Sequence, residues 1–329
     1  MAGVQGSALA SAVSNAGGLG SVPSAMLSLD ALGDELAILV QQTKQPYNVN
    51  FFSHTPTEFD AERDAVWRAA LQPYYAEYGI DAAATASGPA RTPFGPAAAE
   101  LLEAFKPAVV SFHFGLPEAS LVARVKALGA RILSTATTVA EAVWLEQHGA
   151  DAIIAQGFEA GGHRGMFLSD DLTTQVGTLA LVPQIVRAVS VPVIAAGGIA
   201  DASGVAAAMA LGAAGVQLGT VYMLCPEAKT SALHRAALCS EAARHTALTN
   251  IFSGRPGRGI VNRSMRELGP VSPLAPAFPF AATALAPLRA HAEQLGLGDF
   301  TPLWAGQNAS ACREIGAASL TLELAAKLA

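Results

Sequence analysis

The chain's densest chemistry lies between residues 156 and 165, which read Gln-Gly-Phe-Glu-Ala-Gly-Gly-His-Arg-Gly. An imidazole near neutral pH can take a proton from carbon or, once protonated, hold an anion. Gly161 and Gly162 beside His163 allow a flat ligand to lie against the main chain. A lone histidine is more often structural than catalytic, and His54, His113, His148, His234, His245 and His291 show no shared metal-ligand spacing. A histidine inside a glycine loop directly after a β-branched run is a different matter, because that is where parallel barrels carry catalytic groups. His113, at another strand end, could line the same pocket.

A second feature is Ala195-Ala196-Gly197-Gly198-Ile199-Ala200-Asp201, paired downstream with Gln217-Leu218-Gly219-Thr220. Glycines admit a phosphate close to the backbone, free N–H groups at a helix start complement its charge, and Thr220 adds a hydroxyl. Either element alone is equally a tight strand-to-helix turn. The two in register argue for a phosphate cradle, which barrels place after their last two strands.

These groups must be positioned by alternating elements. Short strands are expected at Val109 to Gly115, from Arg131, at Asp151 to Gln156, at Val191 to Ala196 and at Gly215 to Gly219. Helix-period runs separate them near Glu118 to Leu128, Thr138 to Glu146, Leu181 to Val189 and Ala202 to Leu211, with Gly149 placed to stop the second. Upstream, Tyr47 to Phe52 is a sixth strand and Gly18 to Val22 a weaker seventh, while Ser7 to Asn15 reads as a helix with no strand before it. The alternation predicts an α/β chain of (β/α)8 TIM-barrel type with its first strand missing. Thr55 to Phe105 is too long for a simple connection and reads as two helices, Phe59 to Tyr78 and Pro96 to Phe105. The expected organisation is a barrel over 1–224 with a helical insertion at about 55–107, then a helical region over 225–329 packing at the barrel mouth and back onto the barrel. That region would hold a helix at Thr230 to Ala243, a Gly/Arg loop at Phe252 to Ile260, a Pro-rich link and two terminal helices.

Half of the 329 residues are hydrophobic and 14% are charged, enough apolar material for a large core. A net charge of -6 supplies no basic field for nucleic acid. Three scattered cysteines, Cys225, Cys239 and Cys312, suggest neither a disulfide framework nor zinc, and no apolar run is long enough to span a membrane. A cytoplasmic protein is expected.

The loop GFEAGGHRG, AAGGI and QLGT after it, PYNVNFF before it, and FSGRPGRGIVN at Phe252 to Asn262 together resemble the nitronate monooxygenase family, formerly 2-nitropropane dioxygenases. The resemblance runs from Ala2 to about Gly269. It implies a TIM barrel carrying FMN and a small helical domain, with Asn50, Gln156, Gly161, Gly162, Gly197, Gly198, Gln217, Leu218, Gly219 and Thr220 at cofactor-binding positions and His163 at the catalytic one. No metal is implied. The implied reaction is oxidation of alkyl nitronates or propionate 3-nitronate by dioxygen to a carbonyl compound and nitrite, by a monomer or dimer. Members usually begin with a strand resembling PIIQAP followed by Met-Ala-Gly, so Met1 aligns with an internal methionine of that pattern. The alternatives are an FMN-dependent NAD(P)H reductase acting on an enoyl-acyl carrier protein or a quinone, and a flavin-binding protein without turnover.

Other residues receive plainer readings. Arg255, Arg258, Arg263 and Arg266 could hold a dinucleotide phosphate or a substrate carboxylate, but a solvated loop with local carboxylate partners is favoured. Met209, Met223 and Met265 are packing residues, and Cys225 has no activating neighbour in sequence.

Overall fold

The computed structural model describes residues 1–81 and 91–328. Residues 82–90, part of the expected insertion, lie outside it. Seven parallel strands form one curled sheet: β1 (Gly20–Pro23), β2 (Tyr47–Phe52), β3 (Val109–His113), β4 (Arg131–Ala136), β5 (Ala152–Gln156), β7 (Val193–Ala196) and β8 (Gly215–Gln217). Their spatial order follows the chain order, so each strand pairs with the next. β1 and β8 are the two margins of the sheet, and they do not pair with each other. The Met1 side chain packs beside the β8 margin, close to Gly219 and in the cluster around Val221 and Tyr222.

Helices α1 (Ser7–Asn15), α2 (Leu29–Gln42), α4 (Pro96–Phe105), α5 (Ala119–Ala127), α6 (Val139–Gln147), α7 (Thr178–Ala188) and α8 (Ala202–Ala210) accompany the strands. Their starts are set locally: Ser28, Thr138 and Asp201 cap α2, α6 and α8 by accepting a backbone N–H in the first turn. Gly149 ends the α6 unit in the left-handed region at φ 102°.

Strand alternation divides the side chains between two environments. Val49 and Phe51 of β2 face outward and pack with Leu36, Leu39, Leu102 and Phe112 under the helices. The intervening positions face inward. Asn48 and Asn50 meet Ser111 across the sheet interior, and Leu133, Ala152, Ile154 and Ala196 form its apolar part. One inward position further along each strand lie Phe52, His113, Thr135 and Gln156, at the C-terminal ends.

A second, antiparallel sheet stands above those ends, made of β6 (Gly162–His163), β9 (Thr246–Thr249) and β10 (Gly257–Ile260) in the order β6-β10-β9. The expected Gly/Arg loop is therefore half strand, and all of Gly257–Ile260 is buried. The expected helix over Thr230 to Ala243 is also shorter than its pattern: α9 covers Ala232–Leu238, and Ser240 caps a separate 3-10 turn at Glu241–Arg244. After the short α10 (Arg263–Glu267) come the two terminal helices, α11 (Ala281–Gln294) and α12 (Ala317–Ala325).

The first insertion helix, α3 (Ala61–Tyr78), packs against α11 through Trp67, Leu71, Tyr75, Ala284, Leu285 and Leu288. Each fully buried large side chain of this kind contributes about 1.5–3 kcal/mol. Among the described residues no helix is long and apolar enough to cross a membrane.

Candidate active site

His163 sits on β6, held from both sides by its backbone. Its carbonyl accepts from Gln156 Nε2 at 3.0 Å and from His113 Nε2 at 3.1 Å. Gln156 Oε1 accepts from Gly165 N at 2.8 Å, so one amide side chain spans the base of the loop. His113 Nδ1 lies 3.1 Å from Thr135 Oγ1. Nε2 donates to the carbonyl, and in the neutral ring Nδ1 accepts from the threonine hydroxyl. Burial, the largest cause, pushes its pKa down to about 3.

The loop is pinned by groups that sequence reasoning passed over. Arg164, fully buried, donates to the carbonyls of Gln156 and Gly157 and to Gln175 Oε1. Buried Glu141 accepts from Thr137 N and Oγ1 and from Phe167 N, each at 2.7 Å. Glu159 accepts from Thr178 N and Oγ1. Gly157 has to be glycine here, since a Cβ would stand 1.9 Å from Thr178 Oγ1.

The imidazole of His163 is surrounded by Phe52, Phe114, Phe278 and Trp304, with ring centroids 5.1–6.2 Å away. Its Nε2 lies 2.7 Å from Ser253 Oγ, and that hydroxyl is also 3.3 Å from the Arg255 carbonyl. With the Ser253 O–H turned to that carbonyl, Nε2 carries the proton and Nδ1 keeps its lone pair. Nδ1 has no partner among the described residues and is not among the sealed polar atoms, so it opens into the recess. Burial first, then the charge of Arg91, then His113 and Arg255, hold the His163 pKa well below the usual imidazole value. Of the two roles left open by the sequence, the cationic, anion-holding one is thereby disfavoured, and the resting ring is neutral.

The two glycine turns face each other at the ends of β7 and β8. Gly197 and Gly198 have φ of 122° and 73°, which L side chains rarely adopt. The amides of Gly198, Ile199, Gly219 and Thr220 donate to no acceptor among the described residues. A cluster of unpaired N–H groups at two adjacent strand ends fits a phosphate. Thr220 Oγ1 accepts from Gly306 N at 3.0 Å, which leaves its own O–H to give. Beside His163, Gly162 has φ 72° and open space where a side chain would be, as a flat ring requires. Gly161 differs: the room left by its missing side chain is taken by Ala305 and Gly306, so it admits protein rather than a ring.

The expectation of a C-terminal region at the barrel mouth named no residues for it, and the contacts of 305–308 with the glycine turns were missed. Gln307 N donates to Glu159 O at 2.9 Å and Asn308 Nδ2 to Gly198 O at 3.0 Å, tying residues 306–308 across the cradle. The only signal was the stretch Trp304-Ala305-Gly306-Gln307-Asn308 itself, whose glycine and amides resemble any polar loop. Asn50 donates to Ser111 Oγ at 2.9 Å from the inner face of β2, while Gln217 is exposed at the open end of β8 and Leu218 is half-buried.

The expectation of solvated arginines fails for two of the four. Arg258 is 2% exposed and donates to the carbonyls of Phe158 and Thr246. Arg255 is half-buried, donates Nη1 to the Met166 carbonyl and stands over the Phe114 ring, with no ion pair among the described residues. Arg263 does pair with Glu77 and Glu267, and Arg266 is exposed. Burial pushes the Cys225 thiol up to about 11, which disqualifies it as a nucleophile.

Residues 1–327 match the family described as nitronate monooxygenase. The chain is 42% identical to a nitronate monooxygenase of Paraburkholderia phytofirmans, covering all of this chain and 90% of that one, and 43% identical to one of Pseudomonas aeruginosa, covering 94% of it. Among solved structures it is similar to a nitroalkane oxidase from Streptomyces ansochromogenes, with a TM-score of 0.91, 38% identity and coverage of 100% of this chain and 93% of the other. FabK from Thermotoga maritima is more distant, at a TM-score of 0.71 and 27% identity over 99% and 90% of the two chains. The match across the whole length, and not a single motif, decides the assignment: the chain belongs to the nitronate monooxygenase family.

Proposed function

We propose that this protein is a cytoplasmic FMN-dependent enzyme that oxidises alkyl nitronates or propionate 3-nitronate with dioxygen, yielding a carbonyl compound and nitrite. The observation that carries the reading is the pairing of two features in one mouth: unpaired amides at Gly198, Ile199, Gly219 and Thr220, and a neutral His163 whose Nδ1 opens beside the empty space at Gly162. Family membership supports the reaction class. FMN, when bound, supplies the electron exchange between substrate and dioxygen.

The chain's own residues do the rest. The amides of the two turns and the Thr220 hydroxyl would hold the phosphate, with Gly197 and Leu218 shaping the turns. Asn50, Gln156 and Gly162, with Gln217 at the open end, would frame the ring, while Gly161 would act indirectly by admitting residues 305–306 beside the cradle. Phe52, Phe114, Phe278 and Trp304 exclude water from one side of the recess, which strengthens every charge interaction inside it. His163 Nδ1 is placed to accept a proton from a carbon acid, and Ser253 keeps the ring turned that way.

The test is anaerobic mixing of the FMN-loaded protein with propionate 3-nitronate and, separately, with NADH, following flavin absorbance. Rapid reduction by the nitronate alone is expected. Reduction by NADH alone would transfer the protein to the reductase reading, which the likeness to FabK keeps in view. Reduction by neither would leave a flavin-binding protein without turnover.

A further inference from the structure

We infer that the 3-10 turn Ala309–Ala311 is a clamp on the phosphate cradle: Asn308 before it and Cys312 after it each hold one of the two glycine turns, and so position the amides that take the cofactor's phosphate. The inference rests on the FMN reading of the cradle and adds two positioning residues to it.

The two glycine turns have little else to fix them to each other. β7 and β8 pair only through Ile194 to Ala196 and Gly215 to Gln217, and β8, a margin of the sheet, has no strand on its other side. Past those residues no hydrogen bond among the described residues joins 197–199 directly to 218–220. Each turn is gripped instead from the C-terminal segment. Asn308 Nδ2 donates to the Gly198 carbonyl at 3.0 Å, and the Cys312 thiol donates to the Thr220 carbonyl at 3.1 Å. The piece between them is closed by Ala311 N on the Asn308 carbonyl and Cys312 N on the Ala309 carbonyl, and Ala309 is wholly buried with Met223, Leu224, Leu303 and Ala305. One short, anchored element therefore spans both turns.

A carbonyl held on one side fixes an amide on the other, because in a planar trans peptide the C=O and the following N–H point in opposite directions. With the Gly198 oxygen turned to Asn308, the Ile199 N–H is turned away from it, and that amide has no acceptor among the described residues. At the other turn Thr220 is held twice: Gly306 N donates to its hydroxyl oxygen at 3.0 Å, and Cys312 donates to its carbonyl. Its own N–H and O–H stay unspent. Burial above all pushes the Cys312 thiol up to about 12, so it stays protonated and remains a donor near neutral pH. Both clamp groups are neutral and spend their donors on carbonyls, so neither competes with the amides for a phosphate.

The experiment titrates the flavin-free chain with FMN and with riboflavin, which lacks only the phosphate, following the quenching of flavin fluorescence. Wild type should bind FMN at least about 100-fold tighter, as for several charge-assisted contacts. Asn308→Ala should lower that preference about tenfold and Cys312→Val about threefold, the thiol being the weaker donor, with riboflavin affinity unchanged. Cys312→Ser, whose hydroxyl can donate to the same carbonyl, should keep the preference. Equal losses on both flavins, an unchanged preference in both Asn308→Ala and Cys312→Val, or a loss in Cys312→Ser as large as in Cys312→Val overturns the clamp. Should Asn308→Ala fail to fold by circular dichroism, Asn308→Asp, which keeps the shape and loses the donor, should show at least the same loss and decides the matter. A wild type with no preference for FMN refutes the phosphate-cradle reading and the clamp with it, whereas a preference retained by wild type and by every variant refutes the clamp alone.

Discussion

The protonation state of His163 governs what this site can do. A glycine loop around an imidazole leaves base and cationic anchor equally open, and the sequence does not choose between them. Burial and the two neighbouring guanidiniums choose the neutral ring. The neutral form is then the active base, so its activity is complete above the depressed pKa and is lost only as the pH falls through it. For nitroethane, which must lose a proton from carbon, kcat/KM should be level from pH 8 to 6 and decline on stronger acidification. His163→Ala should cut nitroethane turnover about 100-fold or more, and that of preformed ethyl nitronate by a smaller factor, because the nitronate has no such proton to lose. Oxygen consumption with the two substrates measures this. Equal losses, or a descending limb centred at the ordinary imidazole pKa of about 6.5, would remove His163 from the role of base.

At the scale of elements, the site depends on a strand and a returning segment that carry weak local signatures. Gly257–Ile260 contains two glycines and an arginine, a composition that reads as loop, yet it pairs with β6 on one side and β9 on the other. Its arginine is buried because main-chain carbonyls meet the guanidinium, a compensation that no local pattern reveals. The segment 304–308 reaches the cradle only because Gly161 lacks a side chain. A Cβ there would stand 2.5 Å from Gly306 N and 2.6 Å from Ala305 C. Gly161→Ala should therefore displace the segment and weaken FMN binding tenfold or more, in line with the roughly 1–3 kcal/mol cost of overpacking, while circular dichroism stays native. Ultrafiltration of released flavin tests it; unaltered affinity would mean that the segment does not help to retain the cofactor.

Across the molecule four histidines, His54, His113, His163 and His234, are held in their neutral form by burial. Burial, the largest cause in each case, lowers His113 to about 3 and His54 and His234 to about 4. In the unfolded chain each titrates near 6.5, so between that value and the folded pKa the unfolded state binds more protons. Stability is thus complete above about pH 6.5 and is lost as the pH falls; at pH 5.5 each such histidine costs about 1.4 kcal/mol. Urea midpoints should be nearly level from pH 7.5 to 6.5 and fall from there to 5.5, and His234→Gln should flatten that fall. A midpoint that is constant or rises on acidification would contradict this account.

What the sequence determined by itself was the arrangement that local physics enforces. Short β-branched strands, helix-period runs with a glycine stop at Gly149, seven strands in chain order, and two glycine turns at the ends of the last two were all legible, because each depends on residues close together along the chain. The family resemblance was legible for the same reason. Tertiary structure alone decided which groups meet around His163: Ser253 on its Nε2, His113 on its carbonyl, Gly306 against Gly161, and two arginines left without carboxylates. These partners lie from 50 to more than 140 positions away from the residues they touch. Their effect on charge and access comes from burial and distance, which exist only once the chain has closed around them.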